Sequence, residues 1–344
     1  MTPEPARPLR LLLSVRRPGI RDNPYTTLLV DALGTHTTID AHYFNWKLAL
    51  LGHYDVLHIQ WPESLLRGRN TLRRGAALVF CSILLVRLRL LRTPVVRTAH
   101  NLVPHERGSV VERRLLDWLD TSTTMWITLN AHTPVPVGAR RDLIPHGHYR
   151  DWYAASPGPG REPNVLYFGL IRSYKGVDQL LRAFSDIRDP QFHLRVMGMP
   201  SADDDGNRLA SHIGAAKNID STLGHIPDEE LAQAIVDSEL VVLPYRNLHN
   251  SGSVLLALSL NRPVLVPDNE VTRDLQDEFG SDYVHLFSGE LTGSELAATY
   301  VRVRERPDHD SILPMGARNW DAIARAHAEI YRSIIHDRPG GQEH

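Results

Sequence analysis

Cysteine is almost missing from this chain of 344 residues. Cys81 is the single one, which excludes an intrachain disulfide and fits a reducing, cytoplasmic compartment. Clusters of Cys and His at metal-ligand spacing are also lacking. The 18 histidines are dispersed, so no metal site is expected. No long hydrophobic run occurs either: the longest, Ala76 to Val86, is 11 residues and includes Ser82. Spanning a bilayer takes roughly 20. Leu9 to Val15 is short, contains Arg10 and runs into Arg16 and Arg17 rather than a cleavage site. No secretory signal is expected, and the chain reads as something other than an integral membrane protein. Acidic residues are absent from 65–92, where Arg67, Arg69, Arg73, Arg74, Arg87, Arg89 and Arg92 bracket the apolar run.

What is present is globular in kind, with 42% hydrophobic and 23% charged residues and length for about two domains. The net charge of −2 conceals an asymmetry, since residues 1–150 carry +9 and the remainder −11. Halves so different predict different partners. The basic stretch admits two readings. One is a core helix whose arginines snorkel to water; the other is a helix lying on an anionic membrane. Both are expected to hold in part, with a mostly buried helix whose cationic ends, Arg67 to Arg92, face a membrane. No nucleic-acid motif or aromatic interleaving accompanies the basic half, so nucleic acid is not an expected partner.

The chain is organised around Asn164 to Phe184. Val165 to Phe168 reads as a buried strand, Gly169 as a turn, and Val177, Leu180, Leu181 and Phe184 recur at helical spacing. Arg172 and Lys175 therefore fall in a strand-to-helix turn, where the helix amino end already favours anions. They make a candidate diphosphate clamp, or else two solvated surface cations. A second stretch, Leu240 to Ser259, again reads strand, loop, helix, with Tyr245 in the loop and Ser251-Gly252-Ser253 at the helix start. Asn250 or Ser251 is the natural N-cap, and small residues there let a phosphate approach backbone N–H groups.

Together these two stretches, F-G-L-I-R-S-Y-K-G and L-P-Y-R-N-L-H-N-S-G-S, resemble the carboxyl-terminal domain of family 4 glycosyltransferases of the GT-B fold. The resemblance implies an α/β protein of two Rossmann-like domains facing across a cleft. It also implies transfer of a sugar from a nucleoside-diphosphate donor without a further cofactor. By that similarity Arg172 and Lys175 hold the diphosphate, and Ser251, Gly252 and Ser253 hold the distal phosphate and sugar. His225 and Ile226, in a Gly-x-Ile-Pro turn, border the base. Many family members carry two glutamates eight positions apart in this loop. None stands here between Glu239 and Glu270; the positions fall near Leu248 and Leu256, leaving backbone groups and Asn250 to replace them.

In the amino half, Leu9 to Val15 reads as the first strand. The loop after it carries Gly19, where backbone can approach a ligand or simply turn, and Asn23, which caps a helix starting near Pro24. Asp55 to Gln60 is a strand in which His58 reads as a packed histidine. Trp61 and Glu63 in the following loop are acceptor-side candidates, as is Asn23. Pro94 to Thr98 leads into His100, which matches the family histidine that reaches the donor sugar. Glu106 is the nearest carboxylate for a base, or else a helix-start residue. His146 is assigned to a turn, with contact to the diphosphate as the alternative role.

The resulting expectation is an N-terminal acceptor-side domain over 1–153, a linker over 154–163, a donor domain over 164–313, and a helix over 314–336 returning to the first domain. The H-N-L-V-P-H-E stretch looks like bacterial mannosyltransferases of exopolysaccharide and glycolipid assembly. This makes GDP-mannose the expected donor and a glycan or lipid-linked acceptor its partner, on the inner face of the plasma membrane. A nucleotide-sugar 2-epimerase and a non-catalytic sugar-nucleotide or membrane-binding protein are the competing functions.

Overall fold

The computed structural model describes residues 7–16, 23–68, 70–100, 109–153, 164–189, 192–202, 204–215, 219–305 and 312–337. Its backbone divides into two compact units, Met1–Gly147 with Gly316–His344, and His148–Met315. Among the described residues no helix is long and apolar enough to cross a membrane.

The first unit is built on strands β1 (Leu9–Leu13), β2 (Ile39–Tyr43), β3 (Val56–Ile59), β4 (Val95–Ala99), β5 (Met125–Thr128) and β6 (Arg141–Leu143). They form one six-stranded sheet, every pair parallel, in the order β2-β1-β3-β4-β5-β6. Leu11, Leu12, Leu13, Val56, Leu57 and Ile59 are fully buried, as crossover helices on both faces require of central parallel strands. Those helices are α1 (Pro24–Thr35), α2 (Trp46–Leu51), α3 (Glu63–Leu66), α4 (Thr71–Leu90) and α5 (Val110–Ser122). Asn23, Asn70 and Ser109 cap α1, α4 and α5 by accepting from Tyr25, Arg73 and Glu112 backbone N–H groups. Helix α4 packs Ala77, Cys81, Leu84, Leu85 and Leu88 into the core, and burial raises the Cys81 thiol pKa to about 11. The helix is less buried than its composition implied, because a second apolar row, Leu72, Val79, Ile83, Val86 and Leu90, stays exposed.

The second unit holds β7 (Asn164–Phe168), β8 (His193–Gly198), β9 (Ile219–Leu223), β10 (Leu240–Val242), β11 (Val264–Pro267) and β12 (Val284–Phe287). Helices α6 (Val177–Ser185), α7 (Asp204–Ala215), α8 (Asp228–Asp237), α9 (Gly252–Ser259), α10 (Glu270–Phe279) and α11 (Gly293–Arg304) connect and flank them. The parallel order is β12-β11-β10-β7-β8-β9, the doubly wound Rossmann arrangement. Its first strand, β7, lies mid-sheet, and the order of progress reverses between β7 and β10. Ligands bind at the carboxyl ends of strands beside such a reversal. Residues 148–153 pack on α9 of this unit: the Tyr149 N–H donates to Ser259 Oγ at 3.0 Å, and the Arg150 guanidinium to the Ser259 carbonyl at 2.8 Å. The expected linker, 154–163, lies outside the described residues.

The last helix among the described residues, α12 (Trp320–His336), belongs to the first unit and packs along α1, with Trp320 against Tyr25 at 5.8 Å between ring centres. Its buried face is Trp320, Ile323, Ala324, His327, Ala328, Ile330, Tyr331 and Ile334, an amphipathic stripe at helical spacing.

Candidate functional site

In the second unit, both sequence-predicted loops leave adjacent strand ends at the reversal. Leu240 pairs with Val165 and Val241 with Leu166, so the segments after Phe168 and after Val242 start side by side. Gly176 sits so close to the second loop that a Cβ on it would stand 1.8 Å from the Pro244 carbonyl oxygen. Gln179 Nε2 donates to that same oxygen at 2.6 Å, and the Arg246 N–H to the Tyr174 carbonyl at 3.0 Å. Gly169 looks toward the Ser253 Oγ and Tyr245 hydroxyl, each 3.8 Å from the position of an added Cβ.

Lys175 closes the short 3-10 turn Ser173–Lys175 ahead of α6 and lays its Nζ over the Tyr245 ring, 3.6 Å from the centroid. Burial, and second the nearby Arg172 charge, lower its pKa from 10.5 to about 8. Arg172 is exposed beside it. Arg246, the other cation here, is committed to Asp178 at 2.7 Å. Burial raises the Tyr245 phenol pKa to about 12 against the pull of the adjacent Ser253 and Ser251 hydroxyls, so it remains an O–H donor. Ser251 is the N-cap of α9, its hydroxyl accepting from the Val254 N–H, and Gly252 and Ser253 open the helix with Asn250 half-buried ahead of them. The result is a cluster of cation, phenol, hydroxyls and helix amino-end N–H groups, which is chemistry for a diphosphate.

Leu248 and Leu256, near which the family glutamates would fall, are buried at 5% and 6% exposure. An unpaired carboxylate at either place would have to be desolvated, so hydroxyl and amide groups are the available sugar ligands. His225 is exposed and Ile226 half-buried after β9. A feature that sequence reasoning passed over joins them to the loops. Strands β7, β8 and β9 reach Gly169, Gly198 and Gly224 at their carboxyl ends, and Gly198 (φ 154°) packs where a Cβ would lie 1.7 Å from the Gly169 oxygen. Gly224 N–H donates to the Gly198 carbonyl at 2.9 Å. This makes a side-chain-free floor, and its signal was an apolar residue followed by Gly at the end of three successive strands.

The first unit reverses between β1 and β3, and a buried polar chain fills that place. His58, fully buried, contacts Tyr331 Oη through Nδ1 at 2.7 Å and Thr98 Oγ1 through Nε2 at 2.8 Å. Gln60 Nε2 lies 3.1 Å from His58 Nε2, while its Oε1 meets His100 Nε2 at 2.7 Å. With the Gln60 oxygen toward His100, the donors fall as follows. The Gln60 amide donates to His58 Nε2, the His58 Nδ1–H donates to Tyr331, and the His100 Nε2–H donates to Gln60. The Trp61 ring stacks on His100 at 4.1 Å and 15°. Burial holds His58, His100, His146 and His327 well below the usual histidine range, so all are neutral at pH 7.

Of the remaining sequence candidates, Asn23 caps α1 and Glu63 begins α3, where its charge favours the half-buried Arg97 cation. His146 is buried, and Arg318 donates to its carbonyl at 3.0 Å. Gly19 and Glu106 lie outside the described residues. Gln60, Thr98 and Tyr331 were not foreseen; the pairing of His58 with Tyr331 spans 273 positions. Tyr331→Phe should reduce unfolding free energy by about 1–3 kcal/mol, read from urea denaturation, because it strands a buried donor. The histidines add a pH signature. Their folded pKa values lie below the unfolded 6.5, so the unfolded chain takes up protons first and stability falls as pH drops from about 6.5 toward 4. Each contributes up to about 1.4 kcal/mol per pH unit.

Residues 162–285 match the family of group 1 glycosyl transferases. A GDP-mannose:glycolipid 4-beta-D-mannosyltransferase of Xanthomonas campestris pv. campestris is 40% identical over 331 residues, covering 95% of this chain and 93% of that enzyme. Among solved structures, a sucrose-phosphate synthase from Thermosynechococcus elongatus superimposes with a TM-score of 0.65 at 17% identity, covering 96% of this chain and 100% of its own. Anabaena HepE, in complex with UDP and glucose, gives 0.62 at 16% identity, with 95% and 98% covered. At such identities the solved structures speak for the fold, which is GT-B. With near-complete coverage by the Xanthomonas enzyme, the chain belongs to the group 1 glycosyltransferases.

Proposed function

We propose that this enzyme transfers mannose from GDP-mannose to a glycolipid. The observation that carries the donor half is the lacing of the two loops at the β7/β10 reversal, which sets Lys175 on Tyr245 beside the α9 amino end. The 40% identical Xanthomonas enzyme supplies the choice of sugar, base and acceptor class. As the sugar–phosphate bond breaks, charge builds on the diphosphate. Lys175, Arg172 and the amides at Ser251, Gly252 and Ser253 stabilise it in place of a metal-bound partner. His225 and Ile226 border the guanine, Tyr245 and Asn250 complete the donor shell, and His100 hydrogen-bonds the sugar in the tautomer that Gln60 fixes.

We assign the product a beta linkage, as in the Xanthomonas enzyme's name. GDP-mannose carries mannose as an α-phosphate, so the acceptor oxygen attacks C1 from the opposite face while the C1–O bond to GDP breaks. The acceptor's proton passes to a base, for which Glu106 is the candidate, with Trp61, Glu63 and Asn23 on the acceptor side. The enzyme works at the cytoplasmic membrane surface where lipid-linked acceptors are presented.

Calorimetry with GDP, UDP and ADP and their sugars tests the donor. GDP is expected to bind tightest, and Arg172→Ala should weaken it by about 1–3 kcal/mol, the scale of a charged hydrogen bond. Unchanged affinity in Arg172→Ala would remove Arg172 from the clamp. Product analysis by anomeric NMR tests the reaction: an alpha-mannoside contradicts inversion, and an epimerised free sugar without acceptor contradicts transfer.

A further inference from the structure

Residues 148–153 precede the second sheet in sequence, yet they are fastened to α9 within the second unit. Besides its bond to the Ser259 carbonyl, the Arg150 guanidinium donates to Asn261 Oδ1 at 2.7 Å and to the Leu313 carbonyl at 2.8 Å. The Trp152 indole N–H donates to Asp228 at 2.7 Å, and the Tyr153 ring braces Tyr149 edge-on at 6.1 Å. The backbone of Tyr149 is thus held at the carboxyl end of α9, by Ser259, and its side chain runs back along the helix to the first residue. A Cβ on Gly252 would stand 2.8 Å from the Tyr149 hydroxyl, with the ring carbons Cζ and Cε2 at 3.7 and 3.9 Å. Gly252 lacks the positive φ that would itself require glycine. Close approach of the phenol is what requires it.

A second phenol reaches the same helix end. Tyr245 is 3% exposed, and its hydroxyl has no hydrogen-bond partner among the described residues. The Ser251 and Ser253 hydroxyls are near enough to pull on its pKa without standing at bonding geometry. A buried phenol ordinarily has a partner, so this one points to a group that arrives with a ligand. Burial raises the pKa of both phenols, so each keeps its proton and remains an O–H donor. Two neutral donors therefore meet the first N–H groups of α9, with the Lys175 ammonium over the Tyr245 ring. A phosphate oxygen takes several hydrogen bonds at once and gains from the field of a helix amino end. A sugar hydroxyl could accept from the phenols but would gain nothing from that field.

We propose that Tyr149 is a further catalytic residue, its phenol O–H donating across Gly252 to the distal phosphate of the sugar donor, alongside Tyr245. The inference rests on the donor reading above and adds to it a residue that lies in neither of the two loops. As the bond from C1 to the phosphate oxygen breaks, its electron pair passes to that oxygen. The phenols meet the gain in charge with hydrogen bonds and keep their protons, while the acceptor's proton goes to the base. Donors fixed in place before the charge develops need no reorganisation when it does. Being neutral, they also add no cation to the Lys175 and Arg172 pair, whose mutual repulsion already helps to lower the Lys175 pKa.

Tyr149→Phe tests this, because it keeps the ring against Gly252 and removes only the hydroxyl. The readouts are calorimetry with GDP and with GMP, steady-state kinetics with GDP-mannose, and thermal melting, with Tyr245→Phe measured alongside. Tyr149→Phe should weaken GDP about 10- to 100-fold, the scale for one hydrogen bond to a charged group, and lower kcat/KM for the donor by at least as much. GMP affinity and melting should stay as in wild type, since GMP has no distal phosphate. Equal loss of GDP and GMP affinity, with or without earlier melting, would mean that the hydroxyl only holds α9 in place, and overturns the proposal. Wild-type GDP affinity and turnover in Tyr149→Phe overturns it too. If Tyr245→Phe alone loses GDP, the donor reading stands and only the Tyr149 assignment falls. If wild type binds GDP no better than GMP, the diphosphate reading itself fails and Tyr149 falls with it.

Discussion

Lys175→Met should lower kcat/KM for the sugar donor about 10²- to 10³-fold, the range for losing one preorganised donor to developing negative charge. The same variant should be at least as stable as wild type when no ligand is present. These opposite effects come from one fact, the partial burial of an ammonium on the Tyr245 ring beside Arg172. A fall in pKa from 10.5 to about 8 corresponds to roughly 3 kcal/mol of penalty on the charged form, which methionine does not incur. The sign with pH follows. Between about 8 and 10.5 the unfolded chain holds the proton more tightly than the folded one, so wild-type stability gains with rising pH across that window and the methionine variant lacks the gain. Donor affinity runs the other way. A bound diphosphate favours the charged amine, so GDP affinity should decline above about pH 8 in wild type and stay flat in Lys175→Met. Calorimetric titrations at several pH values read both. A wild-type profile that is level from pH 7 to 10 would mean Lys175 does not touch the diphosphate.

The part of this arrangement visible in the sequence was local. Central strands such as β3, β4, β7 and β10 are buried on both faces, so their Val, Leu and Ile runs announce them. The turn after Phe168 and the helix start at Ser251 carry their own chemistry, and the two stretches are neighbours because any doubly wound sheet makes them so. Strand β2 and helix α2 carry no such signal, because Ile39–Tyr43 is an edge strand with one buried residue and the polar Asp40 and His42 within it. The His58, Gln60, His100 and Tyr331 chain escaped for another reason. Its members are 40 and 273 positions apart, and no local pattern marks a hydrogen bond that only tertiary packing creates. Helix α4 shows the converse error. Its composition reads as a mostly buried helix with cationic ends, while helical geometry gives it two apolar faces, and only the packing of α5 and the sheet decides which one is covered.

Gly176→Ala should disable donor binding altogether and reduce unfolding free energy by about 2–5 kcal/mol, combining left-handed strain with overpacking against backbone. Gly176 has φ +69°, a conformation that L side chains rarely adopt, and it caps α6. Its added Cβ would lie 1.8 Å from the Pro244 oxygen and 2.8 Å from Gln179 Nε2, so the substitution breaks the Gln179 bond to Pro244 as it relieves the clash. The loop after β10 must then withdraw, carrying Tyr245 away from Lys175 and the α9 amino end away from the first loop. Gly34→Ala is the matched control. It lies within α1 with nothing within 4 Å of an added Cβ, and should leave stability unchanged or raised by up to about 1 kcal/mol. Urea unfolding and GDP calorimetry on both variants separate strain from function. The proposed diphosphate site requires close approach of the two turns as well as its cations, so normal GDP binding by Gly176→Ala would refute that requirement even if Lys175→Met behaved as expected.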